Sequence, residues 1–155
     1  MSNNEPVDRL VEKTIESFWD TVPPVWGRIR DNVRRIAMEQ FQLSIEQFHI
    51  LRLIRKGHHS VSQLAAKQLI SRPAISQAVD VLVKKGMVSR LQSPDDRRFV
   101  RLDLTESGGG LLDAIFEKNR DWMRGVMSCY SPEELALLQQ GLGILKKMEE
   151  AEITG

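Results

Sequence analysis

Between Ser71 and Thr105 the chain reads SRPAISQAVDVLVKKGMVSRLQSPDDRRFVRLDLT, and no other run constrains the fold as tightly. Ser71 is a helix cap, Pro73 falls in the first turn that tolerates proline, and Gly86 supplies a stop. On a wheel of about 100° per residue, Ala74, Ile75, Ala78, Val79, Val81 and Leu82 take one side. Arg72, Pro73, Ser76, Gln77, Asp80 and Lys84 take the other. The apolar side needs a neighbour, and the short segment before it offers Val61, Leu64 and Ala65. Asp80 is expected to pair with Lys84 one turn later, in the favourable acid-first order. Beyond Gly86 the period changes from helical to two. Val100, Leu102 and Leu104 alternate with Phe99, Arg101 and Asp103, Met87–Gln92 is the only nearby partner, and Ser93-Pro94-Asp95-Asp96 supplies turn residues. A capped helix followed by a β-hairpin is the expected result.

The flanking segments are helical. Val7, Leu10, Val11, Ile15, Phe18, Trp19 and Val22 repeat at helical spacing, as do Val25, Trp26, Ile29, Val33, Ile36 and Ala37. Pro23-Pro24 lies between these stripes, so two helices, or one with a sharp kink, are expected there. Ser44…Gln47, Ser60…Gln63 and Ser131…Glu134 are capping boxes opening three further helices, the first closed by Gly57 and the last with Pro132 at its first position. A long helix is expected from Thr105 to about Ser128, with a soft start at Gly108-Gly109-Gly110, because each glycine costs about 1 kcal/mol relative to alanine. Leu135, Leu138, Leu142, Leu145 and Met148 form a seam in the last helix. The class is therefore mainly α, an α+β winged helix with about six to seven helices and a two-stranded β-wing.

Charge is segregated along the chain. Residues 52–101 hold eleven Lys and Arg against three acids (Asp80, Asp95 and Asp96), while the whole chain carries only +1. A concentrated positive face neutralises phosphates and releases their counterions, the footprint of a nucleic-acid binder. Arg, Gln and Ser on an exposed helix face are side chains that read base edges in the major groove. Arg97 and Arg98 at the ribbon tip suit a narrow minor groove, and Asp96 is placed to orient Arg98. Taken singly, an amphipathic surface helix and a charged turn are ordinary solvated features; their adjacency within a basic surround favours DNA.

Other classes find little support. There is no Gly-Xaa-Ser-Xaa-Gly elbow, P-loop or His-Glu-Xaa-Xaa-His pair, and Gly108–Gly110 fits no nucleotide loop, so no enzyme activity and no cofactor are expected. His49, His58 and His59 lack zinc-ligand spacing; His58 is expected to help a turn or touch phosphate. The single cysteine, Cys129, has no electropositive neighbours in sequence and is expected to be buried or incidental rather than a peroxide sensor. Hydrophobic content of 41%, the absence of a membrane-length apolar run and an N-terminus without secretion-signal character imply a cytoplasmic protein without membrane contact.

The runs LSIEQFHIL, SRPAISQAVDVLVKKGMVSR and SPDDRRFVRLDLT together resemble the MarR family of winged helix-turn-helix transcriptional regulators, most strongly over Leu43–Thr105. The resemblance implies an intertwined homodimer: dimerisation helices over 1–42 and 106–155 flank a DNA-binding lobe at 43–105, as one continuous structural domain. It places Ser71, Arg72, Ser76 and Gln77 at the major groove, and makes Arg98 the minor-groove arginine with Asp96 its partner. With Ser60, Gln63, Pro73, Lys84 and Arg97 these complete the candidate DNA-contact set. It also suggests an effector pocket beside the dimer helices, for which Phe18, Trp19 and Trp26 are candidates, taking a small aromatic or phenolic ligand; the plainer reading is that these aromatics fill a helical core. The family pattern implies a repressor of a palindromic operator more often than an activator.

A dimer is also expected on physical grounds, since a chain of 155 residues cannot easily bury apolar stripes at both ends together with the lobe. The competing class is a winged-helix module for protein–protein assembly, whose basic face meets an acidic partner.

Overall fold

The computed structural model describes residues 5–92 and 100–150. Six helices and one antiparallel hairpin occur among them: α1 Glu5–Phe41, α2 Ile45–Arg55, α3 Val61–Gln68, α4 Arg72–Lys84, β1 Val88–Gln92, β2 Val100–Leu104, α5 Glu106–Met127 and α6 Pro132–Glu150. The chain forms two compact units, Met1–Asn119 and Arg120–Gly155.

The caps act locally, as their spacing requires. In α2 the Gln47 amide donates to Ser44 Oγ at 3.1 Å and the Ser44 amide to Gln47 Oε1 at 3.2 Å, closing the box. Ser60 caps α3 and Ser71 caps α4. Gly57 (φ +94°) and Gly86 (φ +71°) take left-handed conformations after α2 and α4, where a Cβ would be penalised. Leu69 takes the same conformation (φ +55°) after α3, although it is not a glycine.

Two helices are not formed at the N-terminus. α1 runs for 37 residues with Pro23 and Pro24 inside it. The prolines leave the carbonyls of Trp19 and Asp20 without helical donors. These four residues are exposed, so water can satisfy the freed carbonyls. Only the last third of α1 is anchored, through buried Asn32, Val33, Ile36 and Ala37.

The core of the first unit gathers Ile36, Leu43, Phe48, Leu51, Ile54, Leu64, Ile75, Val79, Leu82, Leu102, Leu112 and Ile115, every one almost fully buried. Two polar ties join α5 to the helices before it, one buried and one at the surface. Asn32 Nδ2 donates to Asn119 Oδ1 at 2.9 Å, linking α1 to α5 in the interior. Arg55 donates to the Gly109 carbonyl (2.9 Å) and to Asp113 Oδ1 (2.8 Å), linking the end of α2 to α5.

The glycine triplet is more than a soft start. Gly108 is buried, and a Cβ there would lie far inside van der Waals contact with the Met87 carbonyl oxygen and 3.0 Å from its carbon. The first turn of α5 therefore lies against the entry to β1, backbone to backbone. Thr105 completes the junction: its hydroxyl donates to the Gly86 carbonyl at 2.6 Å and accepts from the Gly108 amide at 3.1 Å.

In the second unit, Ser131 and Glu134 close a capping box, with Glu134 Oε2 accepting from the Ser131 amide at 2.8 Å. Leu137, Leu138, Leu142, Ile144 and Met148 of α6 are exposed. Cys129 is exposed as well, because it sits in the turn after α5, which removes the buried one of the two expected readings; its thiol donates to the Val126 carbonyl. No helix among the described residues is long and apolar enough to cross a membrane.

Candidate nucleic-acid interface

α3, the turn at Leu69–Ile70, and α4 form the helix-turn-helix, and the hairpin follows. α4 is held by one ridge: Ile75, Val79 and Leu82 are buried, while Ala78 and Val83 flank them. The outward stripe is rotated from the one expected. Pro73, Gln77 and Lys84 are exposed as foreseen, but Ala74 and Val81 join them and Ser76 is half-buried. A lobe that grips α4 along three residues leaves the edges of its apolar arc in solvent, so the arc read from the wheel was too wide. Arg72 is exposed at the first position of the helix.

Several predicted contact residues also serve as caps. Ser60 Oγ accepts the Gln63 amide at 3.2 Å, and Gln63 Oε1 accepts the His59 amide at 2.8 Å. Ser71 Oγ accepts the Ala74 amide at 3.4 Å. Each serine hydroxyl keeps its proton for an acceptor such as a phosphate oxygen, at a helix N-terminus where negative charge is favoured.

Asp80 does not pair with Lys84. Its Oδ1 lies 2.7 Å from Arg90 Nη1 of β1, because Lys84 stands on the solvent stripe while the hairpin brings Arg90 to the half-buried flank. Both side chains are more than a third exposed, so the pair contributes at most about 1 kcal/mol. It does neutralise the one carboxylate on α4.

The hairpin pairs Val88 with Leu104, Arg90 with Leu102 and Gln92 with Val100. Leu102 is buried and Val100 exposed. Its base is gripped from the loop before α3. The Leu102 amide donates to the His59 carbonyl at 2.8 Å, and His59 Nδ1 lies 2.8 Å from the Leu102 carbonyl and 3.1 Å from Asp103 Oδ1. Arg101 Nε also holds Asp103, at 2.9 Å. His59 was not singled out from sequence; its signal was only its place beside a capping serine. The expectation for His58 meets a backbone role, its amide donating to the Leu53 carbonyl. Asp96, Arg97 and Arg98 lie outside the described residues.

The aromatic candidates all lie on α1. Phe18 is half-buried and meets Trp19 edge-on at 5.6 Å, while Trp19 and Trp26 are 65% and 58% exposed. None of the three belongs to the buried core of the first unit. Among the described residues no cluster of three His, Cys, Asp or Glu side chains could hold a metal ion.

Comparison with known proteins agrees with this architecture. Residues 43–100 match the model of the MarR family. An uncharacterized HTH-type transcriptional regulator of Bacillus subtilis, YpoP, is 32% identical over 74% of this chain and 80% of its own length. The transcriptional regulator Tm0710 of Thermotoga maritima superposes with a TM-score of 0.80 at 20% identity, over 87% of this chain and 95% of that one. A mutant MepR of S. aureus, solved bound to an oligodeoxyribonucleotide, has a TM-score of 0.67 at 19% identity, covering 84% and 96%. With the helix-turn-helix, the hairpin and these likenesses together, the chain belongs to the MarR family of transcriptional regulators.

Proposed function

We propose that the protein is a homodimeric, sequence-specific DNA-binding repressor. The observation that carries the reading is the concentration of eleven cationic residues over 52–101, around a helix whose outward stripe is Pro73, Ala74, Gln77, Val81 and Lys84. Arg72 and Gln77 read bases, Ala74 meets a thymine methyl, and Ser60, Gln63, Ser71, Ser76 and Lys84 fix the lobe on the backbone. Arg97 and Arg98 take the adjacent minor groove, oriented by Asp96.

Dimerisation is supported by the apolar surface left on the terminal helices. Val7, Leu10, Val11, Ile15, Val25 and Trp26 of α1 are each at least 45% exposed, and Leu137, Leu142, Ile144 and Met148 of α6 at least 54%. Patches of that kind mark a partner surface, and a two-fold partner would set two α4 helices about 34–36 Å apart, one turn of DNA. A small aromatic or phenolic effector would act by favouring lobe positions that no longer span that turn.

The test is fluorescence anisotropy on duplexes selected from a random pool, with salt varied. A preferred palindrome and a steep fall of affinity with salt are expected. Affinity that is flat in salt and indifferent to sequence would instead favour a basic face for an acidic protein. Quenching at Trp19 and Trp26 by aromatic acids, with release of the duplex, tests the effector.

A further inference from the structure

A half-open cleft of about 540 Å³ lies between α2 and the end of α3, within the first unit. That volume is in the range of small-molecule sites. Its lining includes nothing from α4, the hairpin or Phe18, Trp19 and Trp26, although Arg52, Lys56 and Lys67 are among the eleven cations of residues 52–101.

The lining is strongly biased toward donors. Ile45, Leu53 and Ile70 provide apolar surface. Arg52, Lys56 and Lys67 line it together with a single carboxylate, Glu46. Three cations against one acid leave two positive charges to be matched. The Gln68 amide nitrogen is buried with no hydrogen-bond partner among the described residues. The Arg52 guanidinium is not free to wander: it lies over the rings of Phe48 and Phe116, at 5.6 and 5.9 Å from their centroids. His49 completes the lining; burial first, then Arg34, Arg52 and Arg30, hold its imidazole below the usual histidine range. A site that combines placed donors, spare positive charge and an apolar wall suits an anion with a ring attached.

We propose that this cleft binds a small organic dianion, a phosphomonoester on an apolar ring, with Arg52, Lys56, Lys67 and the Gln68 amide on the phosphate and Ile45, Leu53 and Ile70 against the ring. A phosphomonoester carries close to two charges near neutral pH and offers three acceptor oxygens, which matches the charge and donors present. A monocarboxylate of the same ring matches half the charge, and inorganic phosphate leaves the apolar surface uncovered.

Calorimetry on the full chain without DNA, at pH 7.5 and low salt, tests this with 1-naphthyl phosphate, 1-naphthoate and inorganic phosphate. Saturable binding of 1-naphthyl phosphate is expected, about tenfold or more tighter than either comparison ligand, and the double variant Lys56→Gln/Lys67→Gln should weaken it by about tenfold. Methyl resonances of Ile45 and Ile70 should shift on titration of the unmodified protein, which keeps the test decisive if the variant is poorly folded. No saturable binding at millimolar ligand, shifts confined to other methyls, or full affinity in the double variant overturns the site. Equal affinity for 1-naphthoate overturns the dianion, and equal affinity for inorganic phosphate leaves an adventitious ion only. None of these outcomes depends on whether the protein binds DNA.

Discussion

Gly108→Ala should destabilise the protein although it replaces the poorest non-proline helix former with the best. In an open helix position the change would stabilise by about 1 kcal/mol. Here the new methyl group would collide with the Met87 carbonyl, which is backbone and cannot rotate away. That oxygen also accepts from the Thr105 amide at 3.1 Å, so moving it loosens a hydrogen bond worth about 1 kcal/mol. It also disturbs Val88, which is 2% exposed in the core one residue further on. Overpacking of this kind typically costs about 1–3 kcal/mol. Combined with the loosened bond and less the gain in helix propensity, a net loss of about 1–3 kcal/mol is expected, a fall in Tm of roughly 3–9 °C for a chain of this length. Gly109→Ala and Gly110→Ala are the internal controls, because an added Cβ at either meets nothing within 4 Å. Both should hold or raise Tm. Thermal and urea unfolding of the three variants at one fixed protein concentration decides the matter. A Gly108→Ala protein as stable as the parent would refute the backbone contact.

Four further outcomes follow from the same geometry. Leu69→Asn should stabilise by about 0.5–1 kcal/mol, because Leu69 holds φ +55° with its side chain 93% exposed; an unchanged urea midpoint counts against strain there. His49 has its folded-state pKa lowered, so the unfolded chain takes up a proton first as pH falls, and the stability present above about pH 6.5 is lost on the way down toward the folded value. His49→Gln should therefore flatten the decline of Tm between pH 7 and 5, and an unaltered profile would contradict the assigned cause. His59→Ala should lower stability by about 1 kcal/mol and weaken operator binding by loosening the hairpin base, as read by urea unfolding and anisotropy. Arg98→Ala should weaken operator binding about tenfold or more while sedimentation still gives a dimer; unchanged affinity would remove the minor-groove role.

How much was legible in the sequence depended on how far apart the interacting residues are. Ser44 with Gln47, Ser60 with Gln63, and Ser131 with Glu134 interact within one turn, so their spacing alone announced the helix starts. Gly57 and Gly86 were readable for the same reason, since a left-handed residue is a single-residue event. The partner of Asp80 was not, because Arg90 arrives only after the chain has turned through the hairpin entry. Gly108 owes its necessity to Met87, twenty-one positions earlier, and no local pattern records that approach. His59 is similar, gaining its role from Leu102 and Asp103 on the second strand. The double proline left two helices or one kinked helix open, and a single helix forms because its exposed stretch can give two freed carbonyls to water. Of the candidate DNA surface, the helix was placed correctly and its facing was off by part of a turn, because periodicity gives the direction of the apolar arc better than its width.

The Thr105 junction has a mechanical consequence. With its amide and hydroxyl both engaged on the Gly86–Met87 turn and Gly108 seated beside them, the end of α4 and the start of α5 have no slack between them. Residues 106–119 extend about 20 Å from that weld. Tilting this rod by a mere 5° would swing its far end by about 2 Å, and conversely a nudge of that size at Asn119 would be geared into a change of pitch of α4 rather than absorbed by a floppy elbow.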